Sequence, residues 1–117
     1  MNELEQNMRT PEFRTIVTKT ESLRLALQHH LVSVGGALVG RGIISPEQYA
    51  RLRNKMHSEA DRAADLIQWI QEEIQRGNIQ IYHTFVEVLR QNPMYAHILG
   101  TLQETYAQFQ RGMNNCI

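Results

Sequence analysis

Apolar residues recur at helical spacing along most of the chain, and this pattern predicts six helices joined by short connections. The residues expected to face inward are, in chain order, Phe13, Ile16, Val17, Leu23, Leu27, Leu31 and Val34 in the first helix; Ala37, Leu38 and Val39 in a short second; Tyr49, Leu52 and Met56 in the third; Ala60, Ala63, Leu66, Ile67, Ile70 and Ile74 in the fourth; Tyr82, Phe85, Val86 and Leu89 in the fifth; and Tyr95, Ile98, Leu99, Leu102, Tyr106 and Phe109 in the sixth. Residues 77–82 alternate only briefly, so no strand is predicted. The expected fold is all-α.

Capping residues mark where these helices begin. Thr10-Pro11-Glu12 offers a hydroxyl cap, a proline at the first helical position and an acid in the first turn. Ser45-Pro46-Glu47-Gln48 has the pattern of a capping box. Ser58 precedes two first-turn acids, and Asn92 precedes a proline. These signals fix the starts of the first, third, fourth and sixth helices.

Glycines and weak helix formers predict where the helices bend or end. The threonines and the valine of residues 15–20 favour a kink in the first helix, and Gly35-Gly36 is expected to end it. Gly77 and Gly112 are expected to end the fourth and sixth helices. The predicted organisation is a flexible lead-in at 1–9, one helical domain at 10–111 and a flexible tail at 112–117.

Composition limits the kinds of partner and compartment. The 117 residues carry 12 basic and 12 acidic side chains, so the net charge is zero and the surplus of positive charge that phosphate binding needs is missing. Cys116 is the single cysteine, which excludes an internal disulfide and favours a reducing compartment. No secretory signal or membrane-length apolar stretch is found. We therefore expect a cytoplasmic protein with neither a nucleic-acid nor a membrane partner.

The charges are segregated along the chain, which suggests a binding surface. Residues 41 to 55 contain four basic side chains, Arg41, Arg51, Arg53 and Lys55, and only one acidic side chain, Glu47. Residues 59 to 73 contain five acidic side chains, among them Asp61, Asp65 and Glu72, and only one basic side chain, Arg62. We predict that the basic surface of the second and third helices docks on the acidic row of the fourth helix in the next molecule.

Such a contact joins two different patches, so it gives an open head-to-tail chain rather than a closed dimer. The alternative is that both patches are ordinary solvated faces, because an exposed ion pair contributes only ~0.2–1 kcal/mol. Glu47 and Arg51 also have the spacing of an ion pair within one helix.

Residues capable of metal binding or catalysis are few. His83 and Glu87 share a helical face, but two ligands are fewer than zinc requires. Cys116 lies next to the terminus, where no pocket can position it as a nucleophile. We predict no metal, no cofactor and no catalytic residue. Trp69, at the edge of the fourth apolar stripe, is expected to fill the core edge, with an exposed binding anchor as the alternative.

Three runs of the sequence carry a resemblance to a known family. They are Leu38-Val39-Gly40-Arg41-Gly42-Ile43-Ile44-Ser45-Pro46-Glu47-Gln48-Tyr49; Arg62-Ala63-Ala64-Asp65-Leu66-Ile67 continued by Ile74, Tyr82, Phe85, Val86 and Leu89; and Tyr95, Ile98, Leu99 and Leu102. Over about residues 12–105 the chain resembles a caspase-recruitment domain of the death-fold superfamily. The resemblance implies a six-helix antiparallel bundle with death-fold (Greek-key) topology and a broken first helix.

The same resemblance implies a binding function without catalysis. Such domains dock on their own kind, in caspases, adaptors and nucleotide-binding receptors of cell-death and innate-immune signalling. Two other functions are compatible with the residues. One is a helix-turn-helix nucleic-acid binder that uses the basic third helix, and the other is a structural bundle that dimerises through the apolar face of the sixth helix.

Overall fold

The computed structural model describes residues 3–114, which contain eight α-helices and one 3₁₀ turn. The helices are α1 (Glu3–Asn7), α2 (Pro11–Thr18), α3 (Thr20–Leu27), α4 (Leu31–Gly40), α5 (Pro46–Leu52), α6 (Glu59–Gln75), α7 (Gln80–Arg90) and α8 (Ala96–Asn114), and the 3₁₀ turn Pro93–Tyr95 leads into α8. The predicted all-α class is confirmed, since these residues include no strand. None of the described helices combines the length and the apolar character needed to cross a bilayer.

The first long helix of the sequence prediction is divided in the structure. A break at Lys19 separates α2 from α3 within the threonine-rich segment, as expected. The next boundary, however, lies at residues 28–30, and Gly35-Gly36 lie inside α4 rather than at a helix end. The prediction of an end there was wrong because tertiary packing outweighs the weak helix propensity of glycine. At Gly35 a Cβ would lie 2.9 Å from the Leu52 side chain, so α5 can approach α4 only over a glycine.

The predicted caps are present. At the start of α5, the Gln48 amide donates to Ser45 Oγ at 3.0 Å and the Ser45 amide donates to Gln48 Oε1 at 2.8 Å, which completes the capping box. Thr10 accepts from the Phe13 amide at the start of α2, and Ser58 accepts from the Asp61 amide at the start of α6. Asn92 accepts from the Met94 amide. Each cap satisfies a backbone donor that the helix itself leaves free.

Helix α6 lies at the centre of the bundle. It packs against α1, α2, α3, α4, α5 and α7, while α8 covers α2 and α7. The large side chains that are fully buried are Phe85, Ile16, Leu23, Leu27, Leu38, Leu52, Leu66, Ile67, Ile70, Ile74, Leu89 and Leu102. These include members of every predicted stripe, so the sequence pattern identified the core.

Three residues expected in the core are exposed, namely Val17, Ala37 and Met56. Val17 is exposed because Glu12, Thr15 and Ile16 occupy the buried side of α2, and Val17 is one residue further around the helix. Met56 is 89% exposed because α5 ends at Leu52, four residues earlier than a buried Met56 would require.

The ends of the chain are more helical than the sequence indicated. Helix α1 forms within the segment expected to be a lead-in, and Asn7 Nδ2 donates to the Gln75 carbonyl, at the last residue of α6, over 2.8 Å. Helix α8 continues through Gly112 to Asn114. Cys116 lies outside the described residues.

Candidate functional site

The third helix of the prediction, α5, folds back along α4 and positions the candidate basic residues. The capping box starts α5, and the close contact of Leu52 and Tyr49 with Gly35 holds it on α4. The Tyr49 hydroxyl donates to the Val32 carbonyl at 3.3 Å, near the start of α4. The residues that follow α5 are therefore placed beside the first turn of α4.

Arg53 and Lys55 share one surface at this end of the two helices. The Arg53 guanidinium lies 5.4 Å from the centre of the Tyr49 ring, in cation–π geometry. Lys55 and Val32 line the same cavity of about 460 Å³ between the starts of α4 and α6. In the described part of the chain, neither cation has an acidic partner. We call Val32, Tyr49, Arg53 and Lys55 the basic surface.

Apolar side chains are also exposed at this surface. Val32 is 53% exposed, and Met56 follows Lys55 directly in the chain. The sequence pattern placed Met56 in the core, so it did not identify this apolar component.

Arg41 does not belong to the basic surface. It caps the C-terminal end of α4, whereas Val32 and Lys55 lie at the N-terminal end. Ten residues separate the ends of α4 by roughly 15 Å at 1.5 Å per residue. The structure therefore separates Arg41 from Arg53 and Lys55, which the sequence had grouped with it.

Arg51 is paired within the chain. Its Nε donates to Asp65 Oδ2 at 2.7 Å, so α5 is tied to the middle of α6. The predicted pair between Glu47 and Arg51 is not formed, and Asp65, fourteen residues away in sequence, takes its place. Two of the predicted docking residues therefore form an ion pair with each other inside the chain.

The candidate acids lie along one strip of α6. Residues 61, 65, 68 and 72 follow helical spacing on a single face, and we call Asp61, Asp65 and Glu72 the acidic row. Glu72 accepts from Gln68 Nε2 at 3.0 Å and lies 4.0 Å from Arg76. The Asp61 carboxylate has no such partner among the described residues and is exposed.

Arg62 is a residue that the sequence analysis misjudged. It was counted as a surface charge, yet it is only 9% exposed. Its guanidinium donates to the carbonyls of Leu52 at 2.7 Å and of His57 at 3.0 Å, and more weakly to that of Ser58. In the sequence, the buried position of Arg62 is indicated by its place four residues before Leu66, on the apolar face of α6. By holding both ends of the 53–58 loop, Arg62 positions Arg53 and Lys55.

The candidate metal ligands are separated and form other contacts. His83 Nε2 lies 3.1 Å from Glu12 Oε2, while Glu87 pairs with Arg90. Across residues 3–114, no group of three or more His, Cys, Asp and Glu residues is arranged to hold a metal ion. Trp69 is partly buried against the core, in agreement with its predicted place at the core edge.

Glu12, His83 and Tyr106 instead form a polar cluster, centred on the buried Glu12, that joins α2, α7 and α8. The Tyr106 hydroxyl donates to the same Glu12 oxygen at 2.9 Å, and the Tyr106 ring stacks on Tyr82. Burial, with the adjacent Glu12 carboxylate, raises the pKa of Tyr106 to about 12. Burial also raises the pKa of Tyr82. These contacts stabilise the fold and lie apart from the basic surface.

The basic surface and the acidic row can bind oppositely charged protein surfaces by non-covalent contact. No protein-family model matches the chain, and neither a curated protein nor a solved structure matches it.

Proposed function

We propose that this chain is a non-catalytic, cytoplasmic interaction module that associates head to tail with copies of itself or with another module of the same fold. The observation that carries the proposal is a neutral chain in which, among the described residues, two cations near the end of α5, Arg53 and Lys55, have no acidic partner and one carboxylate of α6, Asp61, has no basic partner. In the proposed complex, the basic surface of one molecule docks on the acidic row of the next.

The order of the helices supports membership of the death-fold superfamily. If α2 and α3 are counted as one broken helix, α4 to α8 complete a set of six. Helix α2 packs on α6 and α8, and α4 packs on α5 and α7. Six helices with a broken first helix are what the sequence resemblance to a caspase-recruitment domain implies. By that similarity the proposed partners are caspases, adaptors or nucleotide-binding receptors of cell-death and innate-immune signalling.

A dimer through α8 and a nucleic-acid complex are less well supported. On α8, Tyr106 stacks on Tyr82 and Phe109 lies 4.3 Å beneath the Arg14 guanidinium, so both rings are used within the fold. On α5, Arg51 is held by Asp65, a member of the acidic row, which would repel phosphate.

The expected association is weak for one contact and stronger when it is repeated. An exposed ion pair contributes about 0.2–1 kcal/mol, and burial of Val32 and Met56 adds about 25 cal/mol for each Å² of apolar area. Repetition along an assembly multiplies these small contributions. Salt should weaken association because ions screen exposed charges.

The test is a double charge reversal, Arg53→Glu with Lys55→Glu. Sedimentation velocity over a range of protein concentrations should show assembly of the original chain at low salt and none of the double variant. Arg111→Glu, which adds the same kind of charge on α8, is the control and should assemble normally. Arg51→Glu is unsuitable, because it would break the pair with Asp65 and disturb the fold.

A mixing experiment tests the head-to-tail geometry. Asp61→Lys should also block self-assembly, but mixed with the Arg53→Glu/Lys55→Glu variant it should restore it, because each altered surface then meets an opposite charge. Unchanged assembly of the double variant would refute the charge model. Failure of the mixture to assemble would refute this pairing of surfaces.

A further inference from the structure

A second cavity of about 460 Å³ lies between α3 and the start of α8. Leu25, Ala26, Met94 and Ile98 form its apolar walls, and Leu25 and Met94 are 55% and 52% exposed at the surface. It has only His30 in common with the cavity beside Lys55. Its volume falls within the roughly 300–1,000 Å³ of small-molecule sites.

Two imidazoles and one hydroxyl among the residues that line this cavity lack hydrogen-bond partners in the described part of the chain. The imidazoles of His30 and His97 both line it and form no hydrogen bond with the rest of the described chain. Tyr95, which also lines it, has a buried hydroxyl with no hydrogen-bond partner among the described residues, an arrangement that costs free energy. No Asp or Glu contributes to the lining, so an anion would meet no repulsion there.

We propose that this cavity binds a small amphipathic carboxylate, with its hydrocarbon chain along Leu25 and Ile98 and its carboxylate near His30 and His97. An amine of the same chain length would find no acidic partner at the imidazoles. The apolar walls thus select the tail of the ligand, and the imidazoles select its head. The site is separate from the docking surfaces, and the inference does not depend on the proposed assembly.

The test uses decanoate, with decylamine as the ligand of equal chain length and opposite charge. In amide NMR spectra, decanoate below its self-association concentration should produce saturable shifts in α3, the 3₁₀ turn and the first turns of α8. Decylamine should bind at least about tenfold more weakly, since no acidic side chain lines the cavity to pair with its ammonium group, whereas the imidazole N–H groups can donate to a carboxylate.

Substitutions at two exposed positions test the binding of the ligand's carboxylate and of its hydrocarbon chain separately. His97→Glu should weaken decanoate binding about tenfold, whereas Gln108→Glu, the same added charge further along α8, should leave it unchanged. Leu25→Ser should weaken decanoate and decylamine alike. Equal binding of the two ligands, unchanged binding by His97→Glu, or shifts outside the cavity would each overturn the proposal.

Discussion

Arg62 brings a positive charge into the interior between α5 and α6, where backbone oxygens satisfy it. Its guanidinium is a planar fork of donors that can reach several carbonyls at once, which lysine cannot do. The carbonyl of Leu52, the last residue of α5, accepts a hydrogen bond from the Arg62 guanidinium at 2.7 Å. One side chain therefore decides the path of the loop that carries Arg53 and Lys55.

We predict that Arg62→Met lowers the free energy of unfolding by about 1–3 kcal/mol, because the buried carbonyls lose their donor. Urea unfolding followed by circular dichroism measures the change. Arg111→Met, at an exposed position of α8, should change stability by no more than about 0.5 kcal/mol. Equal effects of the two substitutions would show that Arg62 does not hold the loop.

At the scale of helices, the pair α4–α5 depends on a residue with no side chain. Gly35 lies in the middle of α4, and its backbone is in contact with Leu52 and Tyr49 of α5. Gly100 lies within α8, where a Cβ would meet nothing within 4 Å. The same substitution at these two glycines should have opposite effects.

Gly35→Ala should destabilise the protein by about 1–3 kcal/mol because the new methyl group overpacks the contact with Leu52. Gly100→Ala should stabilise it by about 0.5–1 kcal/mol because alanine is the better helix former. Thermal unfolding of both variants checks the pair. A stabilised Gly35→Ala variant would mean that α5 can move away from α4 without cost.

For the whole molecule, the cluster of Glu12, His83 and Tyr106 joins residues that are distant in sequence. It connects α2 near the start of the bundle with α7 and α8 near its end. The acceptor Glu12 is only 7% exposed, so the hydroxyl of Tyr106 is held in its neutral form against a buried carboxylate. Stability should therefore depend on pH in the alkaline range.

Because folding raises the pKa of Tyr106 to about 12 from an ordinary value of about 10, its contribution to stability is complete below pH 10. We predict that the free energy of unfolding falls as pH rises from about 10 to 12, since the unfolded chain ionises first. Urea unfolding at stepped pH, with phenolate absorbance recorded in parallel, measures this. Tyr106→Phe should be less stable at neutral pH but lose less stability over the alkaline range. An equally steep loss in that variant would assign the effect to other groups.

The sequence predicted the features that depend on residues close together in the chain. The capping box of Ser45 and Gln48 spans only four residues, and the apolar stripes need only helical periodicity, so the caps and most of the core were identified. The sequence also named Arg53, Lys55 and Asp61 as candidate docking residues, which stays a prediction. The grouping of the charges was not identified, because charge counted along the chain carries no information about distance in space.

Only the tertiary structure decided which charges remain available. Arg51 is satisfied by Asp65 rather than by Glu47, Arg62 turns inward, and Arg41 is removed from Arg53 and Lys55 by the length of α4. It also decided that Gly35 continues a helix and that Met56 faces outward. The physical reason is the same in each case: the packing of α5 against α4 and α6 sets these positions, and that packing joins segments that local sequence patterns treat separately.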